Sequence, residues 1–314
     1  MLSWEERRQM VRIANLYYVE GWTQQQIAKK VGVSRPVISK MIQKAKDVGI
    51  VEVYIKDENV HTVDLEKRIE EKFGLKDTVI VPSIGLTPDM TRRAVGQAAG
   101  RYLARNLKSD VERLGISWGT TLAEVVKEYP FERREKISVV PLVGGMGTNS
   151  VEIHANHLAY ELAKKMNGKC CYLYAPAIVE TEELKERLVK MNDIASVLEE
   201  GKSVEVALIG IGNPHKGSTM KDIGYLKDTD IQNLKKVGAV GDISSRFFDY
   251  DGMPIENDLD RRIIGLSLKD LKKIPYVIGI VEGTYKSESI LAALQGGYLQ
   301  TLIIDEETAQ TLLD

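Results

Sequence analysis

The stretch GISWGTT, Gly115–Thr121, decides how the larger part of this chain folds. The run ERLGISW that leads into it predicts a buried strand, and the residues after it, LAEVVKEYP, predict a helix. Glycine at a strand end lets the backbone approach a ligand, and hydroxyls with free amides at a helix start form an anion site. The segment therefore predicts a turn that binds a phosphate or sugar oxygen. The residues expected to bind it are Ser117, Gly119, Thr120 and Thr121.

The same alternation of short apolar strands and helices extends over residues 57–314. The predicted strands are DTVIVPS, ERLGISW, KISVVPLVG, KCCYLYAP, VEVALIGIG, KKVGAVGDI, RRIIGLSL, PYVIGIVEG and TLIIDE. Most are separated by helical segments such as SVEIHANHLAYELAKKM, which indicates a mostly parallel sheet covered on both faces. We therefore expect an α/β, Rossmann-like domain over 57–314.

Several other predicted strands also end in glycine and hydroxyl residues. These ends are GGMGTN (with Gly144 and Gly145), GIGNPHKGS, GDISSRFFD and GTYKSES. In parallel sheets ligands bind beyond the carboxyl ends of the strands, and Lys286 in the last segment can supply a positive charge there. Tight turns in any α/β protein also need glycine, so each segment alone leaves a purely structural role open.

The first 56 residues have a different, all-helical pattern. EERRQMVRIANLYYVEG predicts a first helix, and TQQQIAKKVG predicts a second that opens with a capping box between Thr23 and Gln26. After a turn at Gly32, SRPVISKMIQKAKDVG predicts a third helix with Ser34 as its N-cap and Pro36 in its first turn. Its expected inner face contains Val37, Ile38, Met41, Ile42, Ala45 and Val48.

Two short helices joined by a glycine turn are typical of the helix-turn-helix that reads a DNA major groove. Arg35 is suited to guanine, Gln43 to adenine, and lysines to phosphates. The predicted DNA-binding set is Gln24, Gln25, Ser34, Arg35, Pro36, Ser39, Lys40, Gln43 and Lys44. IVEVYIKD, residues 50–57, alternates as a wing strand would, so residues 1–56 predict a winged helix-turn-helix. The alternative is a small helical bundle with a basic face.

Charge and composition agree with a basic module on an acidic body. Residues 1–56 hold ten Lys and Arg against five Asp and Glu, whereas the remainder holds 33 against 40. A positive amino-terminal part favours a polyanionic partner such as double-stranded DNA. The charged start of the chain predicts a cytoplasmic protein, and no apolar run is long enough for a membrane span. The adjacent Cys170 and Cys171 predict neither a disulfide framework nor a metal site.

Across nearly its whole length, the chain resembles the SorC family of sugar-responsive bacterial transcriptional regulators. The resemblance rests on YYVEGWTQQQIAKKVGVSRPVISKMIQKAKDVGIVEV, GISWGTT, VVPLVGG, VGDISSRFFD and GTYKSESILAAL in this order. It implies an effector domain related to sugar-phosphate isomerases, a phosphorylated sugar as effector, no other cofactor, and a homodimer or homotetramer on palindromic operator DNA. It also implies a repressor of a carbohydrate or nucleoside catabolic operon.

The resemblance assigns roles to individual residues. Phosphate binding falls on Gly119, Thr120, Thr121 and Lys286, contacts to sugar hydroxyls on Asp242 and His154, and a place in the pocket wall on Phe247. Several relatives carry a basic residue before the paired glycines, where this chain has Val143. An imine to the effector, or a second phosphate clamp, is therefore not available from that position.

Two other functions remain open at this level. GIGNPHKGS is similar to a segment of sugar-phosphate deaminases and favours an isomerase-type enzyme, but catalysis needs a positioned acid and base, and His215 is interpreted as a solvated loop residue. Small residues in AVGQAAGRYLA would also suit packing between subunits in a pure assembly domain. For a regulator, residues 57–69 are the expected coupling segment, through which a ligand changes operator affinity by shifting populations.

Overall fold

The computed structural model of the 314-residue chain describes residues 3–51, 60–145 and 150–314. The chain divides into two compact units, Met1–Val60 and His61–Asp314, here called the N-terminal unit and the effector unit. Across the described ranges, none of the helices is long and apolar enough to span a lipid bilayer.

The helices occur throughout both units. In chain order they are α1 (Trp4–Ala14), α2 (Gln24–Val31), α3 (Arg35–Asp47), α4 (Val60–Phe73), α5 (Pro88–Asn106), α6 (Thr120–Glu128), α7 (Ala155–Lys165), α8 (Glu182–Leu188), α9 (Asn192–Lys202), α10 (Thr219–Asp222), α11 (Asp228–Lys236), α12 (Asp258–Arg261), α13 (Leu268–Leu271), α14 (Ser287–Gln295) and α15 (Glu306–Thr311). A π-helical turn, Asn15–Val19, continues α1, and 3₁₀ turns occupy Val151–Ile153 and Thr284–Lys286.

The effector unit is built on a parallel sheet. Its strands in chain order, with those of a small hairpin, are β1 (Asp77–Val81), β2 (Arg113–Ile116), β3 (Ser138–Pro141), β4 (Lys169–Cys170), β5 (Val206–Ile209), β6 (Gly241–Ile243), β7 (Arg246–Phe248), β8 (Tyr276–Val281) and β9 (Thr301–Asp305). In the described part of the chain, seven strands form one sheet in the order β1-β9-β8-β5-β2-β3-β4, with parallel pairing throughout. The predicted α/β class is confirmed.

Both faces of this sheet are buried. Along β5, Val206 and Leu208 point into one apolar cluster, while Ala207 and Ile209 point into the cluster on the opposite face. Side chains alternate across a strand, so a strand covered on both faces reads as a continuous apolar run. Burial of both faces of the sheet therefore explains the continuous apolar runs in the sequence.

The strand order reverses direction between β2 and β5. From β2 the chain proceeds outward to β3 and β4, and it then returns to β5 on the other side of β2 before proceeding to β8 and β9. The loops that leave β2 and β5 at this point diverge and open a crevice at the carboxyl ends of the strands. Ligands of doubly wound sheets bind at such a point.

The small residues of α5 pack inside the effector unit. A Cβ atom on Gly96 would lie 2.5 Å from Cβ of Glu124, and one on Gly100 would lie 3.2 Å from the backbone nitrogen of Tyr129. Both glycines therefore let α5 approach α6 closely. This packing within one chain accounts for the small residues of AVGQAAGRYLA without a contact between subunits.

The N-terminal unit is a compact three-helix arrangement. The predicted capping box of α2 is confirmed, because the Thr23 hydroxyl accepts from the Gln26 amide at 3.3 Å and Oε1 of Gln26 accepts from the Thr23 amide at 2.9 Å. Gly32 ends α2 in the left-handed conformation, with φ of 81°. The buried core of the unit consists of Ile13, Leu16, Ile27, Ala28, Ile38 and Ile42.

Three local predictions differ from the structure or lie outside it. Val37 and Val48, expected on the inner face of α3, are exposed, because the helix packs through Ile38, Ile42 and Ala45. RRIIGLSL forms isolated bridges at Ile263 and Gly265 instead of a strand. The predicted wing strand falls largely on residues 52–59, outside the described residues.

Candidate functional site

A cavity lies at the reversal point between β2 and β5. The described residues that line it come from the ends of β2, β5 and β8 and from the hairpin β6–β7: Ser117, Trp118, Gly119, Thr120, Thr121, Leu122, Gly210, Ile211, Gly212, Asn213, Gly217, Ser218, Thr219, Met220, Asp242, Ser244, Ile280 and Lys286. Six of the ten predicted effector residues are in this lining. Hydroxyl, amide and backbone groups dominate it, as a hydroxylated ligand requires.

The start of α6 presents unused backbone donors to the cavity. Gly119 has a φ of 129°, which favours glycine, and its amide donates to the carbonyl of Ile153 at 3.0 Å. The next amides, those of Thr120, Thr121 and Leu122, occupy the first turn of a helix, where no carbonyl within the helix can accept from them. Together with the partial positive charge of the helix end, they form an anion-binding position.

Lys286 is held in the cavity wall by a buried carboxylate. Its Nζ donates to Oε2 of Glu282 at 3.0 Å, and both side chains are about nine-tenths buried. Burial alone would raise the pKa of Glu282, but the charges and hydrogen bonds of Lys286 and Arg92 outweigh it and hold this pKa below its usual value. The lysine is therefore charged and has a fixed position.

Thr121 is committed to the same carboxylate. Its hydroxyl donates to Oε2 of Glu282 at 3.1 Å, so its one proton is used inside the wall. The Thr120 hydroxyl has no such partner among the described side chains. In this structure Thr120 is thus the hydroxyl donor that remains available at the start of α6.

Asp242 contributes a fully buried carboxylate. Its Oδ2 accepts from the Ser245 amide at 3.2 Å, which is the turn-capping role that carboxylates after glycine often have. Burial raises the pKa of Asp242 to about 6, although the Ser245 amide and Lys286 both act to lower it. The carboxylate also covers Gly212, where a Cβ atom would lie 2.1 Å from Oδ1 of Asp242.

The hairpin β6–β7 turns through two serines in left-handed conformations. Ser244 and Ser245 have φ values of 52° and 67°, and the flanking residues Ile243 and Arg246 are paired. Two-residue hairpin turns of this kind favour asparagine and glycine, so serine is strained there. Both hydroxyls are used: Ser244 donates to the hydroxyl of Ser117 at 2.8 Å, and that of Ser245 accepts from Nε1 of Trp118 at 3.2 Å.

The remaining predicted effector residues lie outside the cavity lining. A Cβ on Gly144 would lie 2.5 Å from the carbonyl oxygen of Ala175, and the Gly145 amide donates to the same carbonyl at 2.8 Å, so these glycines serve close backbone packing. His154 is buried at the start of α7, and Phe247 is buried in an apolar cluster. Binding roles for these four residues stay predictions.

The sequence predicts GIGNPHKGS, the loop after β5, as a strand end near the ligand, but none of its residues is in the predicted effector set. Gly212 pairs with Asp242 through backbone hydrogen bonds of 2.9 and 3.1 Å, and Oδ1 of Asn213 accepts from the amides of His215 and Lys216. The His215 side chain is exposed and its ring bonds to the carbonyl of Ala239 at 2.7 Å, away from the cavity lining. This placement removes the histidine on which an enzymatic mechanism would have relied.

The predicted DNA-binding residues form an exposed surface of α2 and α3. Eight of the nine are exposed and Gln24 is half-buried. Nε2 of Gln43 donates to Asp47 at 3.0 Å, so its amide is partly engaged within α3. The exposed side chain of Val37 lies one helical turn before Lys40 and Met41, on the outer part of this helix.

A basic helix-turn-helix unit joined to an α/β unit with a polar cavity at its topological switch point defines a ligand-controlled DNA-binding protein. The Sugar-bind family model, which describes a sugar-binding domain, matches residues 57–314. The chain belongs to the SorC family of sugar-responsive transcriptional regulators, and it is a regulator and not an enzyme.

Individual relatives match over nearly their full length. The sorbitol operon regulator of Klebsiella pneumoniae is 30% identical over 98% of this chain and 98% of its own, and the deoxyribonucleoside regulator of Bacillus subtilis is 31% identical over 99% and 98%. The crystal structure of the full-length sorbitol operon regulator SorC from K. pneumoniae superposes with a TM-score of 0.77, covering 98% of each chain at 29% identity. A DeoR family transcriptional regulator from Listeria monocytogenes has a TM-score of 0.76 and is 39% identical over 80% of this chain and 98% of its own.

Proposed function

We propose that the effector unit binds a phosphorylated sugar in the cavity between β2 and β5, and that its occupancy changes the affinity of α2 and α3 for operator DNA. The protein acts in the cytoplasm as a homodimer or homotetramer, which repeats α3 at the spacing of two half-sites. The names of its relatives, which include sorbitol operon and deoxyribonucleoside regulators, favour a regulator of a carbohydrate or nucleoside catabolic operon, and the mode of control that we propose is repression.

One observation supports this effector class above all: anion donors and sugar-hydroxyl partners share one cavity. The first turn of α6, the Thr120 hydroxyl and the Lys286 ammonium suit a phosphate group. The Asp242 carboxylate and the Ser244 hydroxyl suit the hydroxyls of a sugar.

The effector class is tested by thermal shift of the full chain with a panel of sugar phosphates and their parent sugars. We expect at least one sugar phosphate to raise the melting temperature and its parent sugar to have little effect, because the sugar lacks the group that α6 and Lys286 bind. Lys286→Met should abolish the shift. Lys165→Met is the matched control, since Lys165 donates to the carbonyl of Tyr129 at 2.8 Å and lies outside the cavity lining. Equal shifts for phosphate and parent sugar would contradict the proposal.

Contacts within the effector unit connect the cavity to α4, which begins inside the expected coupling segment, residues 57–69. Nε2 of His61 lies 2.7 Å from Oε1 of Glu306, the first residue of α15. The preceding residue, Asp305, accepts from the amide of Gly283 at 2.9 Å, and Gly283 begins the turn that carries Lys286. A shift of this turn on effector binding therefore reaches the first turn of α4 through two short contacts.

This route is tested by measuring operator affinity with and without effector. His61→Ala should leave effector affinity unchanged and reduce the effector-induced change in operator affinity by about fivefold, the scale of a 1 kcal/mol contact. Lys72→Met is the control, because Lys72 joins the other end of α4 to the carbonyl of Leu312 at 2.8 Å. Equal loss of coupling in both variants would show that α4 stability, and not this contact, is what matters.

DNA reading is assigned to the first half of α3. Arg35 suits a guanine edge, Lys44 suits a phosphate, and the exposed methyl groups of Val37 suit a thymine methyl. After selection of a binding site from random duplex DNA, Arg35→Ala should weaken specific binding more than nonspecific binding. Lys44→Ala should weaken both alike and lower the salt dependence by about one ion. Equal effects of the two variants on specificity would reduce Arg35 to a phosphate contact.

A further inference from the structure

Glu282 lies behind the cavity wall, where its carboxylate contacts three donors. Oε2 accepts from Lys286 at 3.0 Å and from the Thr121 hydroxyl at 3.1 Å, and Oε1 accepts from Nε of Arg92 at 3.0 Å. The Glu282 side chain is 6% exposed, and the residue is not part of the cavity lining. A ligand in the cavity therefore meets Lys286 and experiences Glu282 only as a charge.

The charges around the cavity cancel. Among the described lining residues, Asp242 and Lys286 are the ones that ionise to full charge near neutral pH. Behind the wall, Glu282 bonds to both Lys286 and Arg92, so the two carboxylates and the two cations sum to zero; Arg92 also contacts the exposed Asp89 at 3.1 Å. A phosphate thus enters a site whose formal charge is close to zero and whose net attraction comes mainly from the end of α6.

We propose that Glu282 determines the anion selectivity of the effector site by neutralising Lys286, so that inorganic phosphate binds weakly and a ligand needs sugar hydroxyls as well. This inference rests on the proposed function and names the residue that makes the site discriminate. Inorganic phosphate is a plausible competitor for any site built from helix amides and a lysine. A neutralised lysine makes occupancy depend on the whole ligand, because part of the binding free energy must come from the contacts near Asp242.

Removal of the Glu282 charge should allow inorganic phosphate to bind the effector site without a sugar. In Glu282→Gln the amide oxygen can still accept from Lys286 or Thr121, but the negative charge 3.0 Å from the ammonium is gone. The cavity and its wall then carry a net positive charge, so an anion is attracted more strongly than in the wild type, where the charges cancel. We expect inorganic phosphate to bind Glu282→Gln at least about tenfold more tightly than the wild type, which corresponds to about 1.4 kcal/mol.

The test titrates inorganic phosphate into the full-length wild type and Glu282→Gln at constant ionic strength, with calorimetry and thermal shift as readouts. Asp89→Asn is the matched control: it removes a carboxylate from the same Arg92, but in solvent, and should change phosphate affinity by less than about twofold. Lys286→Met in the Glu282→Gln background should abolish the gain. Glu282→Ser, which removes the charge and leaves space for water, provides the same comparison if the glutamine variant does not fold.

Equal or weaker phosphate binding by Glu282→Gln and Glu282→Ser would overturn the role of Glu282. If sugar phosphates stabilise the wild type in that case, the proposed effector class is supported and only the role of Glu282 is rejected. If no sugar phosphate binds the wild type while Glu282→Gln gains phosphate binding, the charge role of Glu282 is supported and the proposed effector class fails.

Discussion

Asp242→Asn should stabilise the effector unit while weakening effector binding. Asp242 is fully buried, and burial raises the pKa of its carboxyl group from 3.8 to about 6. The Ser245 amide donates to Oδ2 of Asp242 at 3.2 Å, and an asparagine oxygen can accept the same hydrogen bond. The substitution therefore removes a buried charge and keeps the cap of the hairpin turn.

The magnitude follows from the pKa shift. A raised pKa means that the folded protein holds a proton on Asp242 between about pH 4 and pH 6, where the unfolded chain has already lost it. The free energy of unfolding therefore falls as pH rises through this window, and above it the ionised carboxylate costs about 3 kcal/mol, at 1.36 kcal/mol per pKa unit. Asp242→Asn should be more stable than the wild type by up to that amount near pH 8 and should match it near pH 4.

Urea unfolding of both proteins, followed by circular dichroism across this pH range, measures the difference. Trp118 fluorescence gives a second readout, because this residue is the tryptophan of the effector unit and its indole donates to Ser245 beside the turn. Asp270→Asn is a control of opposite sign: burial acts to raise the pKa of Asp270, but Lys273 and Ser267 outweigh it and lower this pKa. That variant should be less stable than the wild type at neutral pH.

The difference in stability between Asp242→Asn and the wild type should depend on pH. A difference that is constant with pH would refute the view that it arises from a buried ionised carboxylate. A variant less stable than the wild type near pH 8 would show that the charge is compensated in the folded protein. In either case, weaker effector binding by the variant would still be attributable to loss of a carboxylate acceptor.

Other substitutions test the packing around the site. Gly212→Ala should destabilise the effector unit by about 1–3 kcal/mol and abolish effector binding, because the new Cβ would lie 2.1 Å from Oδ1 of Asp242. Gly210→Ala is the control in thermal unfolding and binding assays, because its new Cβ would lie 3.8 Å from the nearest atom. Arg246→Met should cost about 3–5 kcal/mol in urea unfolding, since the buried guanidinium bonds to the Asp260 carboxylate and to several carbonyls that would lose their donor. Thr23→Ala should lower the stability of the N-terminal unit by about 1 kcal/mol through loss of the α2 cap, measurable as faster amide hydrogen exchange in α2.

Features set by neighbouring residues could be predicted from the sequence. The capping box of α2 depends on Thr23 and Gln26, three positions apart, and the helix start after Gly119 depends on the residues around it. The grouping of Thr121, Asp242 and Lys286 could also be predicted, because parallel strands place their carboxyl ends at one edge.

Features set by distant residues could not be predicted. Glu282 acquires its importance from Arg92, which is 190 positions earlier in the chain. The packing of the glycines at 144 and 145 was not predicted, because a sequence does not distinguish backbone that approaches a ligand from backbone that approaches another segment, here Ala175; their binding role stays a prediction. The hairpin turn at Ser244 was missed because serine is a weak turn signal at positions that usually carry asparagine and glycine.

The serine pair at the tip of the β6–β7 hairpin has a consequence for protein engineering. A redesign guided by turn statistics would replace Ser244 and Ser245 with asparagine and glycine and would raise the melting temperature by relieving the left-handed strain. The same replacement would remove the hydroxyls that bond to Ser117 and Trp118. A more heat-resistant protein obtained in this way would be a poorer sensor, so screens of this family for robustness should score ligand response in the same experiment.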